Sequence, residues 1–414
     1  MPKILVINSG SSSLKCSLFL FPEPEAESNK PPEAVASGGV ERIGEGKSLL
    51  SLDTDAGSVE HPCEAADHAQ ALESLLNTLV AETESLESLD EIAAVGHRVV
   101  HGGEKISKSV AVDQEVIDAI EDNATLAPLH NPPNLTGLRA AMERLPGRLQ
   151  AAVFDTAFHQ SMPPSAYLYA LPYNLYEKHD IRRYGFHGTS HRYVAERAAA
   201  ILGREPRECN LITLHLGNGC SAAAVQKGKS VDTTMGLTPL EGLVMGTRCG
   251  DIDPSLPFLF TDMLGMEPQE VYELLNRQSG LVGLSGVSND MREIISAAES
   301  GGENAERAQN AMDVFCYRVK KYIGAYWASL GELDAVVFTA GIGENCPQVR
   351  RKACEGMESM GLRLDERKNE EAVGVEATIS ADESDVALLV VPTDEELKIA
   401  TDTYEVYLEQ EEKA

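Results

Sequence analysis

The chain has 414 residues, of which 43% are hydrophobic, and this length is enough for two domains of ordinary size. Its formal net charge of −30 disfavours nucleic acid and anionic membranes as partners, because both would be repelled. No apolar stretch reaches the length that spans a bilayer. The first apolar run is interrupted by residues 8–13 and is followed by no small-residue cleavage site, so it does not have the pattern of a signal peptide. We therefore expect a soluble cytoplasmic protein that binds neither membrane nor nucleic acid.

The eight cysteines show neither C-x-x-C pairs nor the spacing of metal ligands. Four of them lie beside glycine-rich turns, where a disulfide framework would be unusual: Cys16, Cys220, Cys249 and Cys346. We expect reduced thiols, as in a cytosolic protein.

A strand–turn–strand pattern occurs twice in the chain. Residues 4–7 form an apolar strand that runs into a small polar turn at 8–13 and a second strand at 14–21. Residues 211–214, 217–219 and 222–225 repeat this order about two hundred positions later. A repeated motif of this kind indicates two lobes of related architecture.

Between these hairpins and at the chain end, the pattern predicts loops and helices. Residues 22–32 are rich in Pro and Glu and are expected to form a solvated loop. Apolar side chains recur at helical spacing between residues 64 and 89. Thr393 and Glu396 have the spacing of a capping box, which predicts a final helix over residues 393–408.

Six apolar strands each end at a polar or glycine-containing cluster. They end near residues 7, 95, 154, 214, 338 and 391, and several clusters carry Arg, Asp, Asn or Glu in addition to turn residues. Ligands bind beyond the carboxyl ends of strands in open α/β sheets. Ordinary strand–loop junctions explain one or two such clusters but not six, so the pattern predicts an α/β protein with its site at these ends.

The common phosphate-binding loops do not fit. Gly46-Lys47-Ser48 and Gly228-Lys229-Ser230 resemble the end of a P-loop, but the earlier glycine is replaced by Glu41 in the first and Ala223 in the second. The glycine pairs at 217–219 and 341–343 lack the third small residue or the following helix of a dinucleotide loop. A P-loop NTPase and a Rossmann dehydrogenase are thereby excluded.

Four polar residues stand out as candidates for chemistry. Arg248 lies in a glycine-rich stretch whose backbone N–H groups can bind anions, and its guanidinium can hold phosphate or carboxylate through two hydrogen bonds. Arg98 follows a predicted strand, and His187 lies between two glycines. Asp155 ends another strand and is open to interpretation as an acid, a base or a metal neighbour. The remaining histidines are interpreted as structural, in particular His97, His159 and His191.

Eight segments together resemble the acetokinase family, within the actin/Hsp70/sugar-kinase superfamily. They are INSGSSSLK at 7–15, GHRVVHGG at 96–103, FDTAFH at 154–159, RYGFHGTSH at 183–191, HLGNG at 215–219, GTRCGD at 246–251, TAGIGEN at 339–345 and PTDEE at 392–396. The resemblance covers the chain from its first strand to its last helix. One departure is Asp394, where asparagine is common in the family.

This resemblance implies an α/β fold of two duplicated actin/Hsp70-like (RNase H-like) lobes with an interdomain cleft. Residues 1–156 and 393–414 would form the lobe that binds acetate and metal. Residues 157–392 would form the nucleotide-binding lobe, which would also carry the contacts of a homodimer. The implied reaction is direct in-line phosphoryl transfer, ATP + acetate ⇌ ADP + acetyl phosphate, with Mg²⁺ as cofactor and Mn²⁺ as an alternative.

The resemblance also implies roles for matching positions. The catalytic residues would be Arg98, Asp155, His187 and Arg248, with Asp155 as an orienting group. Acetate would contact Arg98 and an apolar pocket for its methyl group formed by Val100, Leu129, Phe186 and Pro239. The nucleotide would contact Lys15, His215, Asn218, Gly219, Asp290, Met291, Arg292, Gly341, Ile342, Gly343 and Asn345. The metal would lie by Asn8 and, through water, Glu395.

Three alternatives stay open at this point. A propionate or butyrate kinase would differ in the volume of the apolar pocket. An ATP-driven binding module, as in chaperone relatives, would require a peptide-binding domain in addition to the two lobes. A pyrophosphate-dependent enzyme would have no use for an adenosine site.

Overall fold

The computed structural model describes residues 1–22, 31–128 and 130–413. These residues divide into two units, the first formed by Met1–Phe158 with Asp394–Ala414 and the second by His159–Thr393. Most of the predicted Pro/Glu-rich loop and the predicted substrate residue Leu129 lie outside the described residues.

Fourteen strands occur in the described ranges. The first unit contains β1 Lys3–Ser9, β2 Ser13–Leu20, β3 Glu33–Glu41, β4 Ser48–Thr54, β5 Gly57–Cys63, β6 Ile92–Val99, β7 Val110–Ala111 and β8 Leu149–Phe154. The second unit contains β9 Asn210–Leu216, β10 Cys220–Gln226, β11 Lys229–Thr233, β12 Ala335–Thr339, β13 Ala377–Thr378 and β14 Ala387–Val390.

Fifteen α-helices occur in the same ranges. The helices before the second sheet are α1 His68–Glu82, α2 Gln114–Asp122, α3 Asn131–Arg144, α4 Pro164–Tyr167, α5 Asn174–His179 and α6 Gly188–Ile201. The others are α7 Leu256–Leu264, α8 Pro268–Arg277, α9 Gly280–Ser285, α10 Met291–Glu299, α11 Ala305–Leu330, α12 Ala340–Asn345, α13 Pro347–Cys354, α14 Glu366–Glu371 and α15 Glu395–Glu411.

The two sheets have six strands in a common order, and the first sheet adds two more at one edge. The strand order is β5-β4-β3-β2-β1-β6-β8-β7 in the first unit and β11-β10-β9-β12-β14-β13 in the second. In each sheet an antiparallel three-stranded meander, β3-β2-β1 or β11-β10-β9, continues into two parallel strands, β6-β8 or β12-β14. The predicted duplication of α/β lobes is therefore confirmed.

Strand β1 shows why its sequence reads as one apolar run. Leu5 and Ile7 belong to a buried cluster with residues of α1 and α3, whereas Ile4 and Val6 belong to a second cluster with residues of α15. Successive side chains of a strand point to opposite faces, so a strand covered on both faces needs apolar residues throughout. Helix α15, from the end of the chain, thus completes the first unit.

Three predicted boundaries were wrong. Strand β6 continues to Val99 instead of ending at residue 95, because Gly96 is needed for packing: a Cβ there would lie 2.2 Å from Oγ1 of Thr403 in α15. The N-cap of α15 is Asp394, which accepts a hydrogen bond from the Leu397 amide, and not Thr393. Helix α1 is shorter than the predicted segment 64–89: Asp67 caps its first turn, and Thr83, which follows Glu82, is already extended.

Within the described ranges, no helix combines the length and the apolar character that crossing a bilayer requires. The eight cysteines all lie in those ranges and are free thiols. Burial raises the pKa of four of them to about 12, so these stay protonated at neutral pH: Cys16, Cys220, Cys316 and Cys354.

Candidate active site

Arg98 and Asp155 form an ion pair at the carboxyl ends of two adjacent strands of the first unit. Strands β6 and β8 are parallel neighbours, and Asp155 follows β8 directly. Arg98 Nε donates to Asp155 Oδ1 at 3.1 Å, and Nη2 donates to Oδ2 at 2.7 Å. This two-point contact fixes the plane of the guanidinium.

Burial and pairing act in opposite directions on this pair. Burial raises the pKa of the Asp155 carboxyl, and the Arg98 guanidinium opposes that rise. The Asp155 carboxylate in turn raises the pKa of Arg98, so this side chain stays cationic. Glu395 Oε2 lies 3.9 Å from Arg98 Nε and adds a second negative charge nearby.

Two asparagines of α3 hold the segment that follows β6. Asn134 accepts from the Val100 amide at 3.1 Å and donates to the Ser9 carbonyl at 2.7 Å. Asn131 contacts both backbone groups of His101. Val100 is buried, and the segment that carries it is tied to the end of β1.

The predicted metal residues also belong to the first unit. Asn8 lies near the end of β1, opposite the exposed Lys15 of β2, and Glu395 is the first residue of α15. Within the described ranges, no group of three or more His, Cys, Asp or Glu side chains could hold a metal by itself.

His187 of the second unit is held in an unusual backbone conformation. It precedes α6 with a left-handed φ of 58°, which costs free energy for a residue other than glycine. Its ring stacks on His215, with centroids 4.2 Å apart and planes at 21°, and its Nδ1 lies 2.9 Å from Ser221 Oγ. Both histidines therefore have defined orientations.

Arg248 lies in the segment between β11 and α7, and no described carboxylate pairs with it. Its Nη1 donates to the Pro239 carbonyl, and burial lowers its pKa. A Cβ on Gly219 would lie 2.8 Å from Arg248 Nη2 and 3.3 Å from His187 Nε2. The two donors thus converge beside Gly219, where an anionic ligand would supply the missing negative charge.

Two carboxylates, each accepting two hydrogen bonds, fix the segment that carries Arg248. Glu241 accepts from Arg183 Nη2 at 2.5 Å and from the Tyr169 hydroxyl at 2.6 Å. Asp251 accepts from the Gly242 amide at 2.9 Å and from the Tyr322 hydroxyl at 2.6 Å. Although this segment has no regular secondary structure, both flanks of Arg248 are held in place.

A cavity of about 390 Å³ in the second unit brings together most of the predicted nucleotide residues. It is lined by Gly217, Asn218, Asn289, Asp290, Met291, Arg292, Gly341, Ile342, Asn345 and Cys346. Asn289 was not predicted from the sequence, and its amide donates to Asn218 Oδ1 at 3.0 Å. A Cβ on Gly341 would meet nothing within 4 Å, so the backbone there borders open space.

Other predicted residues lie elsewhere. Gly343 faces the backbone of Phe338 and the side chain of Leu216 and does not line the cavity. His215 and Gly219 belong to the cluster around His187 instead. Phe186 is buried.

Arg350 is a structural residue that was not predicted from the sequence. It is fully buried in α13 and donates to the carbonyls of Gly343, Glu344, Asn369 and Ala372 and to the Asn369 side chain. Burial lowers its pKa to about 10. Its neighbours Arg351 and Lys352 make it look like part of a solvated basic run, yet it fixes the end of the Gly341–Asn345 segment.

Comparison with known proteins completes the description of the site. A sequence profile of the Acetokinase family matches residues 3–401. The acetate kinase of Thermotoga petrophila is 54% identical to this chain over 408 residues, which are 98% of both chains. The crystal structure of Porphyromonas gingivalis acetate kinase superposes with a TM-score of 0.91 at 47% identity, covering 98% of this chain and 100% of that one. A propionate kinase structure from Francisella tularensis superposes with a TM-score of 0.89 at 41% identity, with the same coverage. The chain therefore belongs to the acetokinase family.

Proposed function

We propose that this chain is an acetate kinase, which transfers the γ-phosphoryl group of ATP reversibly to acetate and yields acetyl phosphate and ADP. The observation that carries the proposal is the convergence of Arg248 and His187 beside Gly219, with no described carboxylate paired to Arg248. Membership of the acetokinase family and the names of the relatives support the same reaction.

Acetate needs no general base to become a nucleophile. A carboxylic acid with a pKa of about 4–5 is already ionised at neutral pH. Asp155 is engaged by Arg98 through two hydrogen bonds, and this geometry supports an orienting role instead of proton abstraction. The task that remains is to bring two anions together in line.

Charge stabilisation then accounts for catalysis. In the first unit, Arg98 binds the acetate carboxylate in the orientation that Asp155 imposes, and Val100 contacts the methyl group. In the second unit, Arg248 and His187 donate to the equatorial oxygens of the transferred phosphoryl group, and Phe186 and Pro239 contribute apolar surface. A transition state with charge spread over three oxygens gains more from these donors than the ground state does.

The second unit binds the nucleotide. Its cavity of about 390 Å³ lies within the size range of small-molecule sites and would take the adenosine part. The Gly217-Asn218-Gly219 turn and His215 would follow the phosphates. Pyrophosphate as donor would leave this cavity without a role.

Asn8 and Glu395 fit a magnesium ion. Their oxygens are the hard ligands that Mg²⁺ prefers, and Mg²⁺ in kinases is held by one or two protein ligands together with water and substrate phosphates. Glu395 is partly exposed, and the side-chain amide of Asn8 has no hydrogen-bond partner in the described ranges. When bound, the ion would neutralise charge on the phosphates, and Mn²⁺ could replace it.

Propionate is the second candidate acceptor, because the Francisella tularensis neighbour is a propionate kinase. One additional methylene in an apolar pocket changes the binding free energy by only about 1–3 kcal/mol. We therefore expect propionate to react more slowly than acetate, but measurably.

The experiment is an acyl phosphate assay with hydroxylamine as trap. Purified protein is incubated with ATP and acetate, propionate or butyrate, with and without Mg²⁺. The proposal requires acetyl hydroxamate to form fastest, and only with ATP and the metal. A higher kcat/KM for propionate or butyrate would overturn the choice of acetate, and no product from any acid would overturn the reaction.

We also propose a homodimer that forms through α7 of the second unit. This helix has no buried residue, and four of its large apolar side chains are exposed, with Phe258 at 71% and Met263 at 75%. An exposed apolar patch of this kind marks a protein interface. Light scattering after gel filtration should give twice the chain mass for the wild type and the single mass for the variant Phe258→Glu/Met263→Glu. A monomeric wild type would contradict the proposal.

A cytoplasmic location is proposed on the basis of the thiols. Cys63 and Cys249 are partly exposed and unpaired. Proteins of oxidising compartments seldom keep exposed free thiols. Labelling of both thiols in protein isolated under native, non-reducing conditions would agree with a reducing compartment, and their blockage would argue against it.

A further inference from the structure

A chain of hydrogen bonds connects His187 to the interior of the second unit. His187 Nδ1 lies 2.9 Å from Ser221 Oγ, and the same oxygen lies 2.7 Å from His191 Nε2. His191 Nδ1 lies 2.7 Å from Thr213 Oγ1. Ser221, His191 and Thr213 are fully buried, so no solvent intervenes among them.

His191 is neutral in this chain. Burial lowers its pKa well below the ordinary value, and the neighbouring His159 and His215 act in the same direction. A neutral imidazole carries one N–H and one acceptor nitrogen. His191 therefore donates to one of its two hydroxyl partners and accepts from the other.

Thr213, the last residue of this series of hydrogen bonds, determines which group donates in each of them. Thr213 Oγ1 has no hydrogen-bond partner other than His191 in the described ranges. If His191 Nδ1 carried the proton, the Thr213 hydroxyl proton would be buried without an acceptor, which costs about 1–3 kcal/mol. The Thr213 hydroxyl therefore donates to His191 Nδ1, and His191 Nε2–H donates to Ser221.

Among the described residues, the Ser221 hydroxyl proton then has one acceptor, Nδ1 of His187. A histidine that accepts at Nδ1 is neutral and carries its proton on Nε2. That nitrogen faces the point beside Gly219 on which Arg248 Nη2 also converges.

We propose that Ser221, His191 and Thr213 are positioning residues that hold His187 as a neutral Nε2–H donor toward the transferred phosphoryl group. This inference rests on the proposed function, in which His187 contacts that group. If donor and acceptor were exchanged in each of these hydrogen bonds, a neutral His187 would carry its proton on Nδ1. Its Nε2 would then present a lone pair to the phosphoryl oxygens and repel them. The three residues thus hold the donor in place through neutral hydroxyl and imidazole groups.

Nitrogen-15 NMR of the imidazoles tests the tautomer in the wild type without any variant. The proposal requires neutral His187 and His191 at neutral pH, with the proton on Nε2 in both rings. The His187 signals are assigned by their loss in the variant His187→Gln. A proton on Nδ1 of His187, or a doubly protonated ring, would overturn the inference.

Kinetics of three variants test the effect on the reaction. Ser221→Ala should lower kcat by about tenfold or more, with little change in the KM for ATP. This effect is smaller than that of removing one transition-state donor completely, because His187 itself is retained. Thr213→Val should lower kcat less, and Thr213→Ser, which keeps the hydroxyl, should restore it. Thr233→Val is the matched control, because Thr233 is equally buried in the same sheet but donates to a backbone carbonyl. Wild-type kcat in Ser221→Ala would overturn the inference.

The two proposals fail in different ways. Absence of acyl phosphate formation by the wild type would overturn the proposed function, and the NMR spectrum would still report the tautomer. A wild type that forms acetyl phosphate, together with an unaltered Ser221→Ala variant, would overturn only the role of the hydrogen-bond chain.

Discussion

At the scale of single residues, Arg248 is distinguished by its Nη2, which converges with His187 Nε2 beside Gly219 while no described carboxylate pairs with it. We expect Arg248→Ala to lower kcat by on the order of 10³-fold, as for other arginines that stabilise phosphoryl transfer. Steady-state kinetics with acetate and ATP measure the effect. The control is Arg277→Ala, which removes an exposed arginine paired with Glu273 in α8. A decrease in kcat of less than about tenfold, with the fold intact, would show that Arg248 does not stabilise the transferred phosphoryl group.

Gly219 is a second residue whose replacement tests the site, because Arg248 and His187 both lie close to it. A methyl group there would meet Arg248 Nη2 at 2.8 Å and the His187 ring at 3.2 Å, so both donors must move. Displacement of catalytic groups by ~1 Å can cost about 10²-fold, and Gly219→Ala should lower kcat by that order. The control is Gly324→Ala in α11, where a Cβ meets nothing within 4 Å. Unchanged kcat in Gly219→Ala would show that the donors do not converge there.

The sequence identified the charged residues of the site but not their pairing. Arg98 and Asp155 are 57 positions apart, and only the adjacency of β6 and β8 brings them together. Arg350 was missed because burial of an arginine by carbonyl groups leaves no trace in the local sequence. Motif spacing reports which residues follow strands, whereas pairing and burial depend on the tertiary fold.

At the scale of elements, the segment that carries Arg248 depends on its anchors. The Tyr322 hydroxyl in α11 donates to Asp251 at 2.6 Å, and hydrogen bonds to charged groups contribute about 1.5–3 kcal/mol. Tyr322→Phe should lower both the free energy of unfolding and kcat, because Asp251 also fixes Gly242. Urea unfolding and kinetics measure the two effects. Tyr317→Phe is the control, since Tyr317 is exposed on the same helix. If both variants behave alike, the anchor has no role.

Helix and strand types were predictable where the periodicity was strong, and boundaries were not. Gly96 looked like the start of a loop, but it lies inside β6 because α15 packs against it. The sequence shows that a residue is glycine and not whether a turn or a close neighbour requires it. Asp394 and Thr393 are both good N-cap residues, so the choice between them also needed the structure.

At the scale of the whole molecule, buried histidines should make the fold sensitive to acid. Burial lowers the pKa of His97, His101 and His159 to about 4. Below the unfolded pKa of about 6.5 the unfolded chain binds more protons, so stability falls as the pH falls from there toward 4. Each such histidine lowers the free energy of unfolding by up to about 1.4 kcal/mol for each unit by which the pH falls in this range.

Urea unfolding at several pH values between about 7 and 5 measures this slope, above the range in which exposed carboxylates titrate. His97→Gln should give a shallower slope than the wild type, and the control His61→Gln, at an exposed position in β5, should not. Stability that does not change over this range would contradict the assignment of neutral buried histidines.

The duplicated architecture was accessible from the sequence because both copies of the hairpin kept the same pattern of strand, small turn and strand. The flanking strands could not be ordered in this way. The position of β8 next to β6 and the short edge strands β7 and β13 follow from pairings between distant segments. The duplication could therefore be predicted from the sequence, whereas the order of the strands required the structure.

The division of the chain has a consequence for its synthesis on the ribosome. The second unit is one continuous stretch, His159–Thr393, whereas the first needs residues from both ends of the chain. Until Ile399 and Ala400 have emerged, the apolar face formed by Ile4, Val6 and Ala94 has no helix to cover it. Domains generally fold as units while the chain is being made. The unit that is translated first is therefore completed last, and during that interval a nascent chain exposes apolar surface of the kind that promotes aggregation.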